Sequence, residues 1–371
     1  MKAFKMLFTF LILLGVAGSY AQIQELYISD AGNFDSPPWQ ILKFDANGEN
    51  PQVFIDDHLA WPQDIVFLEN EGTVLISNLN TNQIAKFDAT TGAYLGDFAT
   101  GISGPTRMKI HSDGLLYALQ WTGTGKVFRY QLDGTFVDEF TSQGVTTSIG
   151  LDWDSQGNLY VSSYNNNLIR KFDTNGVDQG IFINSNLQGP TNIWFDENDN
   201  LYALNWNGST VSHFDSEGNF IGSFITGLAQ PEGVAFLENG NILIGNGGNG
   251  SVKMFGPSGN FLEDVVASGT ANLLQPNAVV LREVIPNAIS EITEETNFIY
   301  PSQGTAFYLD SAKAIDLKSI AIYHASGGLL KTVEVKSGLV WDASSTTAGT
   351  YILVGTTSDN RLLSQRVLVV K

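Results

Sequence analysis

GNLYVSSYN, residues 157–165, is one copy of a unit that recurs through most of the chain. LYISDAG from Leu26, VLISNLN from Val74, LYALQWT from Leu116, LYVSSYN from Leu159, LYALNWN from Leu201 and ILIGNGG from Ile242 share its pattern, with starts 48, 42, 43, 42 and 41 residues apart. A period of that length suits one four-stranded propeller blade per repeat. Upstream of each second strand stands an apolar alternation, in most copies opened by Pro: WPQDIVF, GPTRMKI, TSIGLDW, GPTNIWF, QPEGVAF and QPNAVVL. Downstream come a third strand (ILKFD, IAKFD, VFRYQ, IRKFD, VSHFD, VKMFG) and a turn such as Asn47-Gly48, Asp133-Gly134 or Asn175-Gly176. Gly and Asn supply the positive φ of such turns at low cost. A fourth strand, as in YLGDFAT, FVDEFTS or FIGSFIT, completes the unit.

The order of strands also predicts how the ring closes. The chain enters at LYISDAG with no Pro-containing strand before it, and leaves through an extra one, QPNAVVL at residues 275–281. One blade is therefore expected to be built from both ends of the repeat region, pairing two edges that would otherwise be bare. The prediction is an all-β chain: a six-bladed β-propeller over residues 22–285, followed by a small C-terminal β-sandwich.

With the Pro-x-Gly-apolar strand, the Gly157–Val161 turn and strand, and the Lys-Phe-Asp third strand in place, residues 26–284 resemble NHL-repeat propellers, and more distantly the gluconolactonase and streptogramin lyase groups. The resemblance implies the fold and leaves the function open, since this architecture hosts binding modules, lactonases, lyases and scaffolds.

After Ile285-Pro286 the period stops. An acidic segment around SEITEETN makes residues 286–296 a linker, and residues 297–371 break into about seven short apolar strands, the mark of a small sandwich. Tyr300-Pro301, SIAIYHASGGLLKT, AGTYILVGTT and the terminal QRVLVVK resemble the type A sorting domain of type IX secretion in Bacteroidota, with a departure at Ser302-Gln303. That resemblance implies export through the outer membrane and the type IX secretion machinery as a partner.

The N-terminal residues fit the same route. Lys2 and Lys5 precede an apolar run from Met6 to Val16, then Gly18, Ser19, Tyr20 and Ala21, so residues 1–21 read as a signal peptide. The run is too short to span a bilayer, and no transmembrane segment is expected elsewhere. The expected location is the cell surface or the medium, reached through the periplasm. The formal charge of −19 becomes −21 once the two lysines are removed, which argues against nucleic acid as a partner. With no cysteine in the chain, stability rests on packing alone.

Propellers bind at the mouth of the central channel, so equivalent positions of the repeats are the ones to compare. Two after the blade Pro stand Asp64, Arg107, Gly150, Asn192, Gly233 and Ala278; the second strands end in Asp30, Asn78, Gln120, Ser163, Asn205 and Asn246. Trp121 and Trp206, with Tyr164 between them, follow equivalent strand ends and are the candidates for stacking on a sugar ring or a peptide side chain, with Asn205 beside them to satisfy its hydroxyls and amides. Asp30, Asp64, Asn192, Glu232 and Asn246 carry oxygens of the kind a hard cation takes, although Arg107 would oppose one. No cofactor is expected, with Ca²⁺ or another divalent ion as the alternative. The four histidines are scattered and form no catalytic pair. The sequence thus favours a non-enzymatic, exported propeller binding a protein, peptide or glycan through its loop face. A metal-dependent lactonase-like or lyase-like enzyme with its site in the channel is the alternative.

Overall fold

A computed structural model of the protein describes residues 23–284, 298–310, 317–324, 329–335, 338–357 and 362–370. The expected signal peptide and linker lie outside the described residues. Six four-stranded antiparallel sheets follow one another along residues 23–284. Blades 1 to 5 each run in chain order from an inner to an outer strand and begin at Pro62, Pro105, Ser148, Pro190 and Pro231. Proline is tolerated at these places because the first residue of a strand need not donate to the ladder. In blade 6 the inner strand is Pro276–Val284 and the remaining three are Ile23–Asp30, Gln40–Asp45 and Gln52–Ile55. Its last and first strands pair antiparallel from Gln24 opposite Glu283 to Asp30 opposite Pro276, so the ring closes as the strand order predicts.

No single core fills this ring. Apolar side chains gather instead in six layers, each between the facing sheets of two neighbouring blades. The tyrosine at the second position of the LYxx strand shows why the repeat keeps an aromatic there. Tyr160 sits edge-on between Phe182 and Phe195 at 4.9 and 4.8 Å, and Tyr27 sits likewise between Phe54 and Phe67 at 5.1 and 4.8 Å. Such edge-to-face pairs add to what area burial alone gives.

A second, polar device ties the blades at their inner edges. Ser29, Ser77 and Ser162, all at the fourth position of the repeat, donate their hydroxyls at 2.6–2.8 Å to Pro62 O, Thr106 O and Thr191 O of the next blade. Where that position is Leu119 or Leu204, a threonine of the inner strand makes the link: Thr106 to Ser148 O at 2.7 Å, and Thr191 to Pro231 O at 3.0 Å. At the fifth junction the position is Gly245, and Pro276 O stands 2.3 Å from where a Cβ would be. Here the strands touch backbone to side-chain site, and the missing Cβ is what permits it.

Much of the acidic composition is spent on turns. Oδ1 of Asp45, Asp173, Asp196 and Asp215 each accepts two backbone N–H groups of its own hairpin at 2.7–3.1 Å. Backbone donors hold Asp45 and Asp88 below the usual carboxylate range.

The tail is a small sandwich of a three-stranded and a five-stranded sheet, eight strands among the described residues. Phe298, Phe307, Ile320, Trp341, Tyr351 and Val367 belong to its core. Gln365 clasps the backbone of Ile299 from both sides, its Oε1 accepting the amide N–H and its Nε2 donating to the carbonyl, each at 2.7 Å. Among the described residues no helix is long and apolar enough to cross a membrane.

Candidate functional site

The residue just past each second strand sits in the same local frame in all six blades. Its backbone N–H donates to a carbonyl at the entry of the inner strand: Ala31 to Gln275 O, Leu79 to Trp61 O, Trp121 to Gly104 O, Tyr164 to Thr147 O, Trp206 to Gly189 O and Gly247 to Gln230 O, at 2.7–3.2 Å. The frame is constant and the side chain varies. Blades 1 to 4 present Leu79, Trp121, Tyr164 and Trp206, an arc of large apolar groups, while blades 5 and 6 present only Gly247 and Ala31.

The gap is filled from another direction. The loop after Asp30 runs to Trp39 before the third strand begins, and it carries Phe34 over the empty side. Phe34 is pinned by a bond from its N–H to Ala31 O at 2.9 Å and by Trp39 Nε1 donating to its carbonyl at 2.8 Å. Its ring lies 5.1 Å from that of Trp61 and 6.2 Å from that of Trp206, and Trp121 lies 5.8 Å from Tyr164. The aromatic wall therefore runs round the mouth. It encloses a cup of about 290 Å³ whose floor includes Gln63, Ile149, Glu232 and Asn277, the residues one after the blade Pro position. The corresponding residues of blades 2 and 4 are Thr106 and Thr191, whose hydroxyls are already engaged at blade junctions.

Trp61 is held there against a backbone preference. The residue before the inner strand has φ of +65° and +63° at Gly104 and Gly189, and +52° at Trp61. Glycine adopts that region freely, whereas for a bulky residue it costs on the order of 1 kcal/mol or more. Trp61 Nε1 is also buried without a hydrogen-bond partner among the described residues. Neither feature helps the fold.

Beneath the floor the channel is plugged. Arg107 of blade 2 reaches across the axis; its Nη1 donates to Gln63 O at 2.9 Å and Asp64 Oδ1 at 3.1 Å, and its Nη2 to Asn277 O at 3.2 Å and Glu232 Oε1 at 3.3 Å. Asp64 Oδ2 also accepts the N–H of Met108 at 2.7 Å, and Asn192 Nδ2 donates to Glu232 O at 2.7 Å. Arg107 is 7% exposed and Glu232 3%. Burial pushes the carboxyl of Glu232 up to about 7, with Arg107 opposing the rise and Asp64 adding to it. Burial raises Asp64 as well, again against Arg107. On the far side of the plug a second cavity of about 230 Å³ is lined by Asp64, Arg107, Asn192, Trp194 and Phe236.

The structure thus brings Trp121, Tyr164 and Trp206 together at one mouth and adds Phe34 and Trp61 to them. Asn205 is not at the cup. Its Oδ1 accepts Gln188 N–H at 2.8 Å and its Nδ2 donates to Ser212 Oγ at 2.8 Å, so it clamps the incoming loop of its own blade. Asn78 and Asn246 do the same through Ala60 and Ala229 N–H, and Asp30 through Gln275 N–H. Of the five oxygen-bearing candidates for a cation, only Asp64, Asn192 and Glu232 gather near the axis, and Asp30 and Asn246 are spent on loops. The donor set does not fit a divalent ion, because the guanidinium of Arg107 lies where the carboxylates converge, and among the described residues no three His, Asp or Glu are grouped to hold one.

No family profile matches the chain, and no curated protein matches it in sequence. Solved structures do resemble it in fold. A chain of a crystallised nidogen/laminin complex is 14% identical, with a TM-score of 0.58, over 70% of this chain and 98% of that one. A protein of unknown function from Bacteroides caccae is 13% identical, with a TM-score of 0.56, over 71% of this chain and all of the other. At such identities the likeness is one of fold alone.

Proposed function

We propose that this chain is a binding propeller, exported by its N-terminal signal and C-terminal sorting domain, that holds part of an extracellular protein, peptide or glycan in its aromatic cup. The observation that carries the proposal is the wall itself. Five aromatic side chains converge on one open cavity, one from an extended loop and one from a strained backbone position, in a fold whose blades already have complete apolar layers. Aromatic surface held half-open in a concave site is the usual signature of a ligand group to be covered. The nidogen/laminin complex shows a likeness to a chain crystallised with a protein partner, which agrees with a binding role and goes no further. A lactonase-like or lyase-like reading draws no support from the channel residues, since Arg107 occupies the acidic centre such a metal would need.

The test is a screen of the full chain against arrayed glycans and against surface proteins of its source cells, repeated with a Trp121→Ala/Trp206→Ala double variant. Binding lost in the variant at unchanged thermal stability is the expected result. Binding that persists in the variant moves the site away from the cup. Export is tested separately, by following a fluorescent protein carrying residues 1–21 and 297–371 to the cell surface or medium, and failure of delivery would remove that half of the reading.

A further inference from the structure

The floor of the cup carries an unbalanced charge. Asp64 and Glu232 bring two carboxylates to one guanidinium, all three nearly inaccessible to water. Glu232 shares only Oε1 with Arg107, at the long distance of 3.3 Å, and its Oε2 accepts no hydrogen bond among the described residues. Asn277 Oδ1, also on the floor, is buried and without a partner among them. These groups are acceptors that await a donor or a positive charge. None of the side chains lining the cup is a Lys, Arg or His.

The wall presents the same preference in another form. The faces of Trp, Tyr and Phe rings carry negative electrostatic potential and attract cations placed over them, most strongly when water is excluded. At about 290 Å³ the cup lies at the lower end of small-molecule sites, which suits one compact head group better than a multi-ring ligand. A bare metal ion would find too few oxygens there, and an anion would face Glu232.

We infer that the cup recognises an organic ammonium group, quaternary or alkylated, with its charge toward Glu232 and its alkyl substituents against Trp61, Trp121, Tyr164, Trp206 and Phe34. This rests on the cup being the binding site proposed above. The charge of such a group offsets the surplus carboxylate, and its methyl or methylene carbons cover the rings. Without an occupant Glu232 relieves the imbalance by taking a proton near neutral pH, as its raised value of about 7 reflects. The titratable groups around it are Arg107, Asp64 and the Tyr164 hydroxyl. A bound ammonium therefore competes with that proton, and affinity rises with pH as Glu232 ionises.

The experiment titrates the full chain with choline, tetramethylammonium and trimethyl-lysine amide, and with the uncharged carbon isostere of choline, following tryptophan fluorescence and heat. The three cations are expected to bind, and the isostere at least about tenfold more weakly than choline. Glu232→Gln keeps the shape and leaves Arg107 paired with Asp64 alone, so the variant remains charge-balanced and folded. In it choline affinity should fall to about that of the isostere, whose own affinity is unchanged. Wild-type affinity for choline should rise from about pH 6 to pH 8 and be flat in the variant. An isostere that binds as tightly as choline overturns the ammonium reading while leaving the cup a binding site. No binding by any of the four overturns it too, and the array screen with the tryptophan variant then decides whether the cup binds anything. Choline binding much stronger than trimethyl-lysine amide points to a free or lipid-borne head group, and the reverse to a modified peptide.

Discussion

Arg107 and Glu232 belong to blades on opposite sides of the ring, and their side chains meet across its axis with Nη2 3.3 Å from Oε1. Together with the 3.1 Å contact from Arg107 to Asp64, this makes one guanidinium the common neighbour of blades 1, 2, 5 and 6. Removing it strands two buried carboxylates. Arg107→Met should cost about 3–5 kcal/mol, the usual penalty for breaking a buried ion pair from one side. Urea denaturation followed by tryptophan fluorescence measures it. The triple variant Arg107→Met/Asp64→Leu/Glu232→Leu should recover most of the loss, and a triple variant as unstable as the single one would show the arginine acting through packing alone.

The raised value of Glu232 fixes the sign of a pH effect. The folded group holds its proton up to about 7, whereas the unfolded one releases it near 4.5, so between these values the folded state carries the extra proton. Its contribution to stability is complete below the lower value and is lost as pH rises through the upper one, a change of roughly 3 kcal/mol at most. Wild-type stability should therefore fall relative to Glu232→Gln between about pH 5 and pH 8. Paired melting curves of the two proteins across that range provide the check, and parallel curves would place the ionised carboxylate at ease in its site.

The cup aromatics and the layer aromatics should respond differently to truncation. Tyr160 is 2% exposed and wedged between Phe182 and Phe195, so Tyr160→Ala should cost about 3–5 kcal/mol as a core cavity does. Trp206 is only partly covered, and Trp206→Ala should cost about 1 kcal/mol or less. Thermal unfolding of the two variants side by side separates ring faces kept for a ligand from ring faces kept for packing.

The blade junctions allow a comparison of two kinds of close contact. Ser77→Ala removes one buried hydrogen bond and leaves Thr106 O short of a donor, a loss of about 1 kcal/mol. Gly245→Ala inserts a methyl group where Pro276 O already lies 2.3 Å away, which forces the second strand of blade 5 and the inner strand of blade 6 apart and should cost about 1–3 kcal/mol. Denaturation midpoints of the two variants give the ranking.

Most of the architecture is readable in the chain because a blade is a local object: in blades 1 to 5 the four strands and their turns fall within some forty residues, and blade 6 alone takes its inner strand from the far end of the repeat region. The cup is readable only in part. Trp121, Tyr164 and Trp206 occupy one repeat position and reveal themselves by alignment of the copies. Phe34 belongs to no repeat position, and its only trace is the interval of 48 residues after the first copy where the others are 41–43. Asn205 and Asn246 resemble channel residues because a strand-end amide looks the same whether it faces a ligand or folds back on its own loop. Their partners, some seventeen residues upstream, settle the matter only once the loop path is known. The Arg107–Glu232 contact spans 125 residues and a ring axis, a distance that no local pattern encodes.

The pairing of Gln24 with Glu283 makes the beginning and end of the propeller immediate neighbours. Topologically the ring then has no privileged starting point. A short bridge between those two residues, with the backbone cut instead at the exposed Thr226–Gly227 bond between blades 4 and 5, would leave every ladder, layer and junction as it is. The seam now in blade 6 marks where the chain enters and leaves the ring, and a circularly permuted chain could carry it elsewhere at the cost of one loop.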